Sequence, residues 1–169
     1  MFSTTFYSFK GGVGRSLALV NVAVELAKDG NNVAIVDFDL EAPGLQTFSI
    51  FDKAKQPKFG LVEFVEQYIA SASNTPAVPK IESFLFKANK KKAGTFLDHA
   101  PLANTQIIEQ KAGKKTTDKQ GDIWLMPARG KGSKADPTSI DWIKLYDELD
   151  GFFLMEELRA RLKEFTQAD

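Results

Sequence analysis

Seven consecutive residues, Lys10-Gly-Gly-Val-Gly-Arg-Ser16, gather three glycines, two cations and a hydroxyl in one short stretch. Binding a polyphosphate needs several N–H donors aimed at one point, and side chains near the backbone would block that approach. Gly11, Gly12 and Gly14 remove the Cβ atoms and permit positive φ. If a helix begins at the end of this stretch, its unpaired N–H groups and its dipole favour an anion there. Arg15 can reach the outer phosphates, and the Ser16 hydroxyl is placed to ligate magnesium. The strict pattern G-x-x-x-x-G-K-[ST] is not met, since Phe9 stands at its first glycine and Arg15 at its lysine. A second acidic motif, Val36-Asp37-Phe38-Asp39, follows about 20 residues on.

The flanking elements decide whether this stretch is a binding loop or a mere glycine turn. Thr4–Phe9 reads as a short strand. Ser16–Lys28 reads as a helix with Leu17, Val20, Val24 and Ala27 on one face, and Asp29-Gly30-Asn31 stops it. Val33–Phe38 is almost continuously apolar, as in a strand buried on both faces. Strand, turn, helix and strand make a βαβ unit, whose right-handed crossover predicts two parallel strands, adjacent or separated by one. Leu61, Phe64, Val65, Tyr68 and Ile69 have helical spacing. Ile81–Phe86 fits a short strand or a helix. Ala88–Gly121 reads as polar, Lys-rich loop with one short element near Ile107–Ile108. Ile123–Met126 reads as a buried strand ended by Pro127. Asp136-Pro137 predicts an N-cap and first helical residue, opening a helix through Trp142, Leu145 and Tyr146. Phe153, Leu154, Leu158, Leu162 and Phe165 form the stripe of a final amphipathic helix.

The length of 169 residues fits one domain with a real core. The absence of cysteine excludes disulfides, thiolate metal sites, iron–sulfur clusters and a cysteine nucleophile within these residues. No apolar run is long enough to span a bilayer, and the N-terminus runs into a strand pattern rather than a leader. A cytoplasmic protein is the expectation. Net charge is zero, but residues 51–120 carry 12 basic and 7 acidic side chains.

Lys10–Ser16 resembles the deviant phosphate-binding loop K-G-G-V-G-K-[ST] of the ParA/MinD-like ATPases at six of seven positions. With Val36-Asp37-Phe38-Asp39-Leu40-Glu41-Ala42-Pro43-Gly44-Leu45, it is similar to the KGGVGR-motif variant branch of that group. The strong resemblance covers about residues 4–45, and a weaker one covers Trp124–Ala128 and the helices after it. It implies an α/β, three-layer P-loop NTPase-type domain with a mainly parallel sheet, binding ATP and magnesium. Contacts to the nucleotide are implied for Gly11, Gly12, Val13, Gly14, Arg15, Ser16 and Leu17. Magnesium is implied at Ser16 and Asp37. Lys10 would reach across an ATP-bound homodimer to the partner's nucleotide, and Asp39 would position the attacking water. The family's later strand ending in Asp has no counterpart here. The chain is therefore expected to be a single partial domain, the N-terminal part of a longer ATPase, with a Lys-rich insertion at about 87–121. On that ground it is expected to bind ATP more readily than it hydrolyses it.

Two other functions fit the same residues. One is a nucleotide-binding sensor module without efficient turnover. The other is a nucleic-acid-binding protein using Lys87, Lys90, Lys91, Lys92, Lys111, Lys114, Lys115 and Lys119; poor aromatic interleaving favours a solvated insertion instead. His99 is the only histidine, so no histidine metal cluster can form.

Overall fold

The computed structural model describes residues 2–8, 12–71, 77–96, 120–136, 138 and 140–168. Among these are five α-helices and three strands: α1 (Arg15–Lys28), β1 (Val33–Val36), α2 (Leu61–Ser71), β2 (Phe86–Lys87), α3 (Lys90–Thr95), β3 (Ile123–Met126), α4 (Trp142–Glu148) and α5 (Gly151–Thr166). The fold is α/β. The sheet is small and mixed, in the order β1-β3-β2, with β1 parallel and β2 antiparallel to β3. In the parallel pair Val33 faces Ile123 and Val36 faces Met126.

Strand residues divide by parity between two apolar clusters, because successive side chains point to opposite faces. Ile35, Ile123 and Leu125 join Val20, Ala23, Val24 and Ala27 of α1. Met126, with Ala34, Val36 and Trp124 packed beside it, joins α2 and Leu145, Leu154, Leu158 and Leu162 of α4 and α5. The spacing of α5 thus gives its core face through the leucines, while Phe153 and Phe165 stay exposed. On α1 the buried stripe is completed by Ala23, and Leu17 is exposed.

Helix α1 ends as its sequence predicts. Gly30 has φ 93°, its N–H donates to Ala27, and the Asn31 N–H donates to Leu26, which together satisfy two terminal carbonyls. The start of α2 is held from outside. The Leu61 and Val62 N–H groups donate to the carbonyls of Pro127 and Ala128, directly after β3. The two segments cross so closely that a Cβ on Gly60 would lie 2.4 Å from the Pro127 carbonyl oxygen, and one on Gly130 would lie 1.9 Å from that of Lys58.

Several expectations change. Residues 2–8 form neither strand nor helix. Thr4 and Thr5 are exposed, and β1 takes β3 as its ladder partner; β propensity without a neighbouring ladder and a covered face makes no strand. Among the described residues the sheet has one parallel and one antiparallel pair, because Phe86–Lys87 adds to the far side of β3 in the antiparallel sense. The open choice at Ile81–Phe86 resolves into both alternatives in turn, a 3₁₀ turn over Ile81–Phe84 and then β2. Lys90–Thr95, read as loop, is a helix capped by Asn89, whose side chain accepts from the Lys92 N–H. Helix α4 starts at Trp142 with Asp141 as its cap. Asp136 instead accepts the N–H and hydroxyl of Thr138 in a local turn, so its capping chemistry is spent six residues early. Ile107–Ile108, His99 and Lys111–Lys119 lie outside the described residues.

Candidate functional site

The described part of the loop, Gly12–Ser16, has the backbone its glycines permit. Gly12 has φ 77°, and Gly14, the N-cap of α1, has φ 80° and ψ 12°. A side chain in this left-handed region costs about 1–2 kcal/mol, so glycine belongs here. No side chain caps α1, and its first turn has no acidic residue. Its first N–H groups therefore have no capping side chain, which is the arrangement that receives an anion. Val13 and Leu17 are exposed beside the loop, and Ser16 is half-buried in the first turn. Lys10 and Gly11 lie outside the described residues.

The structure brings the loop and the acidic motif together. Arg15 Nη2 donates to Asp39 Oδ2 at 2.7 Å, with both side chains about one-third exposed. The other arm of the same guanidinium, Nη1, donates to the Ser8 hydroxyl at 3.3 Å and the Ser8 carbonyl at 3.4 Å. Arg15 thus spans from the segment before the loop to the segment after β1. Its planar fork makes that span possible, where a lysine would bring one point charge.

Asp37 and Asp39 have different environments. Asp37 is buried at the end of β1, where its N–H donates to the Met126 carbonyl and its Oδ1 accepts the Asp39 N–H at 3.0 Å. Its Oδ2 is buried and has no hydrogen-bond partner. Burial pushes the Asp37 carboxyl above the ordinary carboxylate range, against the pull of the Asp39 N–H on Oδ1. A buried carboxylate oxygen with no donor, at the C-terminal end of a parallel strand, fits a hard cation such as magnesium. Asp39 is half-exposed, and its Oδ1 accepts the Ala42 N–H at 3.1 Å. No group of three or more histidine, cysteine, aspartate or glutamate residues that could hold a metal occurs among the described residues.

Three contributors escaped the sequence reading. Ser8 is an acceptor for Arg15. Arg129 follows β3 and donates through Nη2 to the Leu40 carbonyl at 2.7 Å, tying the loop after β3 to the loop after β1. Glu63 is buried on α2, and its Oε2 accepts the N–H groups of Gly60 at 2.6 Å and Gly130 at 3.2 Å. The Arg129 signal was present, since a charge at the end of a parallel strand is a site candidate. Glu63 looked like any helix-surface acid. Beside the Leu40–Glu41 loop opens a cleft of about 620 Å³, lined by Glu41, Arg129, Lys134, Asp136 and Trp142 among others.

A family model described as ParA, NUBPL iron-transfer P-loop NTPase, matches residues 3–56. The matched stretch contains the loop, α1, β1 and both acidic residues. It supports a ParA-like P-loop NTPase over that stretch at a coarse level, and with it nucleotide binding. No curated protein and no solved structure matches the chain.

Proposed function

We propose that the chain is an ATP-binding switch ATPase of the ParA/MinD type, within the three-layer architecture of such domains. The observation that carries this reading is the uncapped N-terminus of α1 behind Gly12 and Gly14, with Arg15 and Asp39 meeting in front of it. The family match over the same residues supports it. The backbone N–H groups from Gly11 to Leu17 would take the β- and γ-phosphates, with Arg15 on their outer oxygens. Ser16 and the Asp37 carboxylate would hold magnesium, which when bound would supply positive charge to offset that of the phosphates. Asp39 would orient the attacking water. Lys10 would act across a homodimer, so that subunit association follows nucleotide occupancy.

The iron-transfer part of the matched description is not carried to this chain, whose 169 residues have no cysteine to ligate iron through sulfur. A second reading, a nucleotide sensor with little turnover, is favoured by one observation. Asp39 is held by Arg15, which competes with its use as a water-orienting carboxylate. Calorimetric titration with ATP and with GTP, each with and without magnesium, tests the binding shared by both readings. Magnesium-dependent ATP binding that is lost in Gly14→Val is expected. Equal heats for the wild type and the variant refute the site. Phosphate release then separates the two readings, since steady turnover that falls in Lys10→Ala supports the ATPase and binding without release supports the sensor.

A further inference from the structure

Arg15 has two possible anionic partners. One is Asp39, which it holds at 2.7 Å. The other is a polyphosphate on the loop that Arg15 itself ends. Both arms of the guanidinium are engaged in the structure, Nη2 by Asp39 and Nη1 by Ser8. A phosphate that takes the face of the fork turned to Asp39 competes with that carboxylate for Nη2 and draws the guanidinium away from Ser8. Asp39 does not stand alone. Its N–H is pinned to buried Asp37, and its carboxylate caps the Ala42 N–H. The Leu40 carbonyl between them is gripped by Arg129. Releasing Asp39 from Arg15 therefore frees one oxygen of a carboxylate whose backbone stays in place. The carboxylate keeps its position and loses its cation.

We propose that Arg15 is a phosphate-operated latch. It holds Ser8 to Asp39 until a polyphosphate claims it, and its transfer to phosphate hands Asp39 an unpaired oxygen beside the terminal phosphate. A lysine would bring one ammonium centre in place of two separated nitrogens, so the two-armed span belongs to the arginine form of the loop. The inference rests on the phosphate-loop reading above.

A double-mutant cycle tests it. Affinity for inorganic triphosphate, without metal, is measured by calorimetry for the wild type, Asp39→Asn, Arg15→Gln and the double variant. Asp39→Asn removes the competitor for Arg15 and also removes plain repulsion between carboxylate and phosphate. Only the repulsion remains to be removed in the Arg15→Gln background. The latch predicts that Asp39→Asn tightens binding by about fivefold more with Arg15 present than without it, the scale of a partly exposed ion pair. The same gain in both backgrounds overturns the latch and leaves the phosphate loop standing. Absence of triphosphate binding in all four proteins removes the loop reading and the latch together. A second measurement needs no variant. Triphosphate should shift the carboxyl ¹³C resonance of Asp39 in labelled wild type, and an unmoved resonance at saturation overturns the latch.

Discussion

Replacing Gly14 by alanine adds one methyl group, and the structure locates the cost of that change. A Cβ built on Gly14 meets no atom within 4 Å, so nothing in the protein clashes with it. The backbone is the obstacle, because φ 80° is a left-handed conformation that costs an alanine about 1–2 kcal/mol. That cost can fall in two places. If the fold holds the loop as it is, stability drops, and Tm falls by about 2–8 °C for a chain of this size. If the loop relaxes to negative φ, the phosphate must restore it, and affinity falls by about 5–30-fold. The two losses, expressed as free energies, should sum to about 1–2 kcal/mol however they divide. The control is Gly94→Ala inside α3, where the added Cβ also meets nothing within 4 Å and φ is not positive. That change should stabilise by about 0.5–1 kcal/mol. Differential scanning calorimetry and ATP titration on the two variants give both quantities. If Gly14→Ala loses neither stability nor affinity, the left-handed turn is not required for the site. Gly14→Val should bind more weakly still, since β-branched residues are rarer at positive φ.

The buried carboxylates give two further expectations. Glu63→Ala strands the Gly60 and Gly130 N–H groups and should destabilise by about 3 kcal/mol, read as a lower urea midpoint, with Glu63→Gln losing less because an acceptor remains; an unchanged midpoint would contradict the staple. Asp37 should make stability fall as pH rises from its ordinary carboxylate range through its raised folded value, because the folded state holds the proton longer than the unfolded chain and the burial penalty is fully felt only once the group ionises. Wild type should therefore gain stability relative to Asp37→Asn as the solution is acidified through that window, and a difference independent of pH would refute the assignment.

The local features were legible in the sequence. The loop, the start and stop of α1, and the strands at 33–36 and 123–126 follow from glycine placement and apolar runs, which are properties of neighbouring residues. The leucines of α5 were legible for the same reason. What could not be read came from distant partners. Thr4–Ser8 has strand-like composition, but a strand exists only where another edge receives it. Glu63 is recognisable as a structural acid only once Gly130, 67 residues away in sequence, is seen at its carboxylate. Arg129 becomes part of the site through a carbonyl 89 residues away. The Arg15–Asp39 pair lies between these cases. Each residue was marked by its motif, but their direct contact was not.

The pairing of β1 with β3 joins Val33 to Ile123, so the described sheet closes across a separation of 90 residues. Contacts of that span form late in folding, because the loop-closure entropy must be overcome first. During synthesis every residue of the glycine-rich loop emerges long before Ile123–Met126, the ladder partner of β1 among the described residues, and before the Arg129 that donates to the Leu40 carbonyl. The chain thus makes the glycine-rich loop well before the strand that supports its neighbour β1. A chain halted before residue 120 holds the whole motif without β3 and without the Arg129 contact to the Leu40 carbonyl.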